Sequence, residues 1–310
     1  MEVIMAIPCK KLIFGDKISV ISPSSPSSKE TIKNALNLLK SLNFDYKIYD
    51  HLYDNIGYLA GLDIHRAKDF NNALKDKETN AIICLRGGYG TLRIMNLIEW
   101  SLYKKNPKIF MGFSDITPIL NYIFKKFNII TFHSPMLTSN LMDEHSRDSL
   151  INSITIQKSN YFIKNPENIS LKSFPSNKNI VTGNIIGGNL SLICSTISTK
   201  YEIPFKNNIL FIEEINESPY KVDRMLSHLY LSGKIQKCSG IILGQFTDCK
   251  DDNGVNIEDL LLEKLRLFKK PCIYNLCAGH GSPRLTIPIG ARARINTNNS
   301  TIEILKSVVI

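Results

Sequence analysis

No stretch of this chain approaches the ~20 consecutive apolar residues that a helix needs to cross a bilayer, so no membrane span is expected. The seven cysteines contain no C-x-x-C pair. An odd set, with Cys84 and Cys194 inside apolar runs, reads as reduced core thiols rather than a disulfide frame. Cysteines and histidines alike lack the spacing of a metal-ligand set, so no metal and no cofactor is expected. The net charge of +10 is spread along the chain with no basic run interleaved with aromatics, which argues against nucleic acid as a partner. The apolar patch before Pro8 has no positive charge ahead of it and is too short for a secretory signal, so the expected location is cytoplasmic.

What is present points to a large α/β protein. A chain of 310 residues, 43% of them hydrophobic, can bury a sizeable core. Strand-like runs at Lys17–Ile21, Phe44–Tyr49, Ala81–Leu85, Ile109–Met111 and Ile129–His133 alternate with helical periodicity, which predicts a parallel sheet covered on both faces. The predicted helices include one from Lys29, one over Ile64–Leu74 with Asp63 as N-cap, and one over Leu92–Trp100. From Leu141 to Lys178 the pattern degrades, placing a connection there and dividing the chain into domains at 1–165 and 166–310. The second half predicts strands at Val181–Ile186, Asn207–Ile212, Gly240–Gly244 and Pro271–Leu276, a Gly187-Gly188-Asn189 turn, and a closing hairpin.

Two turns carry candidate chemistry. Arg86-Gly-Gly-Tyr-Gly90 follows a buried strand, and its glycines let backbone N–H groups face a ligand; the spacing is not G-x-G-x-x-G, which disfavours a dinucleotide. Ile109-Phe-Met-Gly-Phe-Ser-Asp-Ile116 runs from strand to turn to helix, the geometry that exposes a nucleophile, and makes Ser114 the candidate. Its motif departs from G-x-S-x-G at the last position, and helix capping fits the same residues. A serine nucleophile needs a base and an orienting carboxylate. His280, between two glycines after a strand, is the best placed of six histidines. Glu213 and Glu214 end an apolar strand and must point to opposite faces, and local sequence does not choose between them. The serine-rich loop Ser22–Ser28 lacks the glycines and lysine of a P-loop and fits helix capping better.

Seven ordered motifs choose. Arg86-Gly-Gly-Tyr-Gly, Gly112-Phe-Ser-Asp-Ile-Thr, Gly183-Asn-Ile-Ile-Gly-Gly-Asn-Leu, Leu210-Phe-Ile-Glu-Glu, Val222-Asp-Arg-Met-Leu, Gly240-Ile-Ile-Leu-Gly and Gly279-His-Gly together resemble the LD-carboxypeptidase family of serine peptidases, which includes microcin C self-immunity peptidases. The resemblance implies an N-terminal parallel-sheet domain like that of class I glutamine amidotransferases plus a C-terminal α/β domain. It implies a triad of Ser114 as nucleophile, His280 as base and acid, and Glu213 as orienter, with oxyanion donors at the N–H groups of Gly88 and Asp115. The implied reaction is release of terminal D-alanine from a murein tetrapeptide, a small peptide substrate, during cell-wall recycling. A homodimer is also implied. An immunity-type peptidase acting on peptidyl or aminoacyl nucleotides, and a non-catalytic binding homologue, are the competing expectations. The role of Arg86 is left open.

Overall fold

The computed structural model describes residues 6–141, 143–174, 176, 179–250 and 254–310. Met1–Met5 of the N-terminal patch, and Pro175 and Lys178 of the predicted connection, lie outside the described residues. The first half supplies β1 (Lys17–Ile21), β2 (Asp45–Lys47), β3 (Ala81–Cys84), β4 (Ile109–Gly112) and β5 (Thr131–His133). The rest supplies β6 (Tyr161–Ile163), β7 (Lys172–Phe174), β8 (Ile180–Asn189), β9 (Ile209–Ile215), β10 (Gly240–Thr247), β11 (Cys272–Tyr274), β12 (Ile287–Ile289), β13 (Arg292–Asn296) and β14 (Thr301–Ile304). They form two sheets.

The first sheet has the order β12-β5-β4-β3-β1-β2 and is parallel except for β12, which runs antiparallel to β5. Every residue of β3 and β4 is buried, as parallel strands covered on both faces require. From β1 the chain first adds β2 on one side and then returns to add β3 on the other. The loops after β1 and β3 therefore part at a switch point, where α/β sheets bind ligands. These are the serine-rich loop and the Arg86–Gly90 turn, and Ser114 follows the neighbouring β4.

The second sheet, of order β6-β14-β13-β8-β9-β10-β11-β7, has a parallel centre from β8 to β11 and antiparallel flanks. One apolar core runs through both sheets, joining Val20, Ile83 and Phe132 to Ile185, Phe211 and Ile242. Among the described residues no helix is long and apolar enough to cross a membrane, and all seven cysteines are free thiols.

Four local expectations are corrected. The degraded stretch holds a helix, Glu144–Thr155, capped by Asp143, whose carboxylate accepts from Ser146 N at 2.9 Å. Its buried residues are only Ser146, Leu150 and Ile154, a stripe too narrow to register as an amphipathic pattern. The predicted Leu92–Trp100 helix is instead two short ones, Thr91–Ile94 and Trp100–Lys105. Asp63 is the first residue of its helix, not the cap, and its carboxylate pairs with Arg66 and Arg93. Gly187-Gly188-Asn189 is no turn but the end of the ten-residue β8.

Candidate active site

Ser114 opens a short 3-10 turn between β4 and the helix Thr117–Phe127. Its φ of 62° lies in the left-handed region, which is strained for a residue with a Cβ, at a cost on the order of 1–3 kcal/mol. Such strain is what lifts a nucleophile out of a strand-to-helix turn. Gly87 lies against it: a Cβ on Gly87 would come within 2.9 Å of Ser114 Cβ and 3.1 Å of its Oγ. Gly88 (φ 115°) sits on Ser25, since a Cβ there would lie 2.2 Å from Ser25 Oγ. The turn is fastened to the serine-rich loop by Tyr89 N donating to Ser25 Oγ at 3.1 Å and Ser25 N donating to Gly87 O at 3.3 Å.

The Asp115 side chain holds these loops together. Its Oδ2 accepts from Ser24 Oγ at 2.6 Å and from Thr91 N at 2.8 Å. Burial pushes this carboxyl above its ordinary range, and the two donors pull the other way. The serine-rich loop thus frames the Ser114 turn from Ser24 and Ser25, while Ser28 caps the helix Lys29–Ser41 by accepting from Thr31 N.

Alternation along β9 separates the two glutamates. Glu214 Oε1 accepts from Asn189 Nδ2 at 2.7 Å, and its Oε2 takes Ser191 N and Oγ at 2.8 and 2.7 Å, so it holds the start of the helix Leu190–Thr196. Glu213 points the other way, fully buried, and its Oε2 lies 2.6 Å from His280 Nδ1. Burial would raise the Glu213 carboxyl, but contacts from His133 and His280 outweigh it and hold the group well below the usual carboxylate range.

His280 follows β11 in a loop that Arg284 pins, donating from Nε to Gly279 O and from Nη2 to His280 O, both at 2.6 Å. The same guanidinium lies 4.6 Å from the ring centre of Phe113, and the His280 ring lies 4.7 Å from that ring. The imidazole is thereby set beside the residue that precedes Ser114. A cavity of about 230 Å³ opens there, lined by Asn140, Ser146, His280, Gly281, Ser282 and Arg284. Larger cavities of about 410 and 470 Å³ lie along β10 and along the helix Glu144–Thr155, and none of the three triad candidates lines them.

The two sheets meet on the helix that follows Ser114. Asn121 Nδ2 donates to Gly187 O, and Gly187 N donates to Asn121 Oδ1, both at 2.8 Å; Asn189 N donates to Thr117 Oγ1 at 3.1 Å. Gly187 must be glycine, since a Cβ would fall 2.0 Å from Phe211 O. Sequence reasoning missed Asn121, Arg284 and His133, and reached Gly87 only as part of the Arg86–Gly90 turn.

Arg86 is exposed and donates to Pro26 O at 3.1 Å. A cluster of His51, Asp54 and His65 also forms, with both Nδ1 atoms on Asp54 Oδ2 at 3.2 and 2.9 Å. Its Nδ1 atoms are taken up by these contacts, while His51 Nε2 is buried without a partner.

Comparison with known proteins shows the family and the fold. The LD-carboxypeptidase N-terminal domain model matches residues 18–134, and the LD-carboxypeptidase C-terminal domain model matches residues 182–295. The chain is 36% identical to the "Probable murein peptide carboxypeptidase" of Bacillus subtilis (strain 168), over 94% of this chain and 92% of that one. It is 27% identical to the "Murein tetrapeptide carboxypeptidase" of Pseudomonas aeruginosa, over 91% and 94%. Among solved structures, the wild-type microcin C7 self immunity protein MccF superposes with a TM-score of 0.90 at 25% identity, over 98% of this chain and 100% of that one. The muramoyltetrapeptide carboxypeptidase from Oxalobacter formigenes gives 0.80 at 26%, over 93% and 97%. Fold and relatives define a hydrolase of the peptidase class, a carboxypeptidase. The chain belongs to the LD-carboxypeptidase family, which its motifs had led us to expect.

Proposed function

We propose that this protein is a serine-type LD-carboxypeptidase that releases the terminal D-alanine of murein tetrapeptides in cytoplasmic cell-wall recycling. The observation that carries the reading is the 2.6 Å contact between Glu213 and His280, set beside the Ser114 turn by residues from both sheets. Ser114 Oγ attacks the carbonyl of the L-configured centre while His280 takes its proton. Glu213 fixes the imidazole's tautomer and balances its positive charge. The N–H groups of Gly88 and Asp115 receive the oxyanion, and the closeness of Gly87 to Ser114 supports that placement. His280 then protonates the departing D-alanine amine, and water releases the acyl-enzyme.

The likeness to MccF favours a second reading, cleavage of a peptidyl or aminoacyl nucleotide. Stacking on a nucleobase is one way to recognise such a substrate, and the single tryptophan does not serve it. Trp100 donates to Met95 O at 2.9 Å and packs against Phe70 and Tyr122.

Mass spectrometry of purified protein with an LD-tetrapeptide, a DD-pentapeptide and a peptidyl adenylate analogue decides between them. We expect loss of one alanine from the tetrapeptide alone, and its abolition by Ser114→Ala. Undiminished release by that variant would remove the serine mechanism, and turnover of the adenylate alone would establish the second reading.

A further inference from the structure

His133 ends β5, where it pairs in register with Gly112 of β4 on one side and Ile287 of β12 on the other, and it has no exposed surface. Neither ring nitrogen has a hydrogen-bond partner, and neither has Glu213 Oε1. Buried polar atoms are seldom left this way in a folded protein. His133 Nε2 and Glu213 Oε1 stand 3.8 Å apart, and a shift of roughly 1 Å brings them to hydrogen-bond length.

The surroundings restrict what the ring can do. Phe113 and Phe211 meet it edge to face at 5.6 and 5.0 Å, and a Cβ on Gly188 would lie 3.3 Å from its Cδ2. The ionisable groups acting on it are Glu213 from β9, and His280 and Arg284 from the loop after β11. Burial, with His280 and Arg284, opposes a charge on the ring, and Glu213 favours one. Burial wins, so the balance lowers the ring's affinity for a second proton and favours the neutral form, which carries a single one. A carboxylate oxygen can only accept, so a bond to Oε1 needs that proton on Nε2.

We propose that His133 is a positioning residue whose Nε2–H is aimed at Glu213 Oε1, so that one carboxylate is held between two imidazoles, His280 on Oε2 and His133 on Oε1. This rests on the proposed roles of Ser114, Glu213 and His280. The second donor stops the carboxylate from rotating and takes a share of its charge. Without it, Glu213 would hold a proton on His280 more tightly, and a base that keeps its proton cannot accept one from Ser114.

Two measurements test this. In 15N-imidazole spectra of the wild-type protein, His133 should remain the neutral Nε2–H tautomer from about pH 5 to 8, with an Nε2 proton slow to exchange. An Nδ1–H tautomer, or a ring that protonates in that range, overturns the proposal, and this arm does not depend on turnover. In kinetics of D-alanine release, His133→Leu should lower kcat by about 10–100-fold, the scale of one charge-assisted hydrogen bond, with little change in KM. The acidic limb of its kcat/KM profile should move to higher pH. His133→Gln keeps an N–H at a similar reach and should restore most of both.

If wild-type protein releases no D-alanine, the proposed function fails while the spectra still decide the tautomer. If wild-type protein is active and His133→Leu matches it in rate and pH profile, the positioning role is wrong. A loss in both variants with an unmoved acidic limb would mark a purely structural histidine and also overturn the proposal. Should His133→Leu fail to fold, the spectra and the pH profile of His133→Gln, expected to match that of the wild type, remain decisive.

Discussion

Asn121 and Gly187 exchange two hydrogen bonds of 2.8 Å, the side-chain amide of one answering the backbone N–H and C=O of the other. Asn121 stands on the helix that Ser114 introduces, and Gly187 lies two residues before Asn189, the register partner of Glu213. This pair sets the helix that follows Ser114 against the strand that pairs with Glu213.

Asn121→Leu should therefore damage both stability and rate. It leaves a backbone donor and acceptor of Gly187 buried without partners, each costing about 1–3 kcal/mol. We expect the midpoint of thermal unfolding to fall by roughly 4 °C or more, with kcat for D-alanine release falling as well. A variant with wild-type kcat would show that this contact is not what aligns the site.

Gly87→Ala tests how tightly the glycine turn encloses Ser114. The new methyl would stand 3.1 Å from Ser114 Oγ, so the serine must give way. A displacement of this kind, on the order of 1 Å, can cost about 100-fold in rate. We expect kcat/KM to drop at least about tenfold, while far-UV circular dichroism stays unchanged. Full activity would place the reacting carbonyl elsewhere.

The two adjacent glutamates should separate cleanly. Glu213→Gln should lower kcat by about 10²–10⁴-fold, because an amide neither fixes the tautomer nor balances the imidazolium. Glu214→Gln sets an NH2 group among donors from Asn189 and Ser191 and should act mainly on stability. Steady-state kinetics beside thermal melts would show this division, and a reversal would exchange the roles of the two residues.

Asp69 gives a pH dependence of opposite sign to Glu213. Burial pushes its carboxyl up to about 6, although Oδ2 accepts from His51 N at 3.0 Å, and Oδ1 has no partner. An acid whose folded value lies above its unfolded value destabilises the fold when ionised. That penalty is full above about pH 6 and disappears as pH falls toward the ordinary aspartate value near ~4. Asp69→Asn should therefore raise the unfolding midpoint by about 2 °C or more at pH 8 and by less at pH 5. Equal effects at the two pH values would contradict the assignment.

Much of the architecture was legible because the signals were local. Ile109-Phe-Met-Gly112 announces a buried parallel strand by unbroken apolar character, and the glycine after it permits the turn. Gly279-His-Gly281 advertises a histidine that no helix face absorbs. The helix Glu144–Thr155 was not legible, since three buried side chains in twelve residues leave too faint a period. The choice of Glu213 over Glu214 came from family resemblance, and the hydrogen bonds of β9 give its physical basis.

Sequence alone determined the α/β class, most of the element types, and Ser114, His280 and one of two adjacent glutamates as the side chains proposed for catalysis, because periodicity, glycine placement and residue chemistry act over short separations. Tertiary structure alone decided that His133 faces Glu213, that Arg284 pins the histidine loop to Phe113, and that Asn121 joins the sheets at Gly187. The His133–Glu213, Arg284–Phe113 and Asn121–Gly187 contacts link residues 66 or more positions apart. No local pattern encodes them, since a buried histidine and a surface one are spelled alike until the fold supplies the carboxylate.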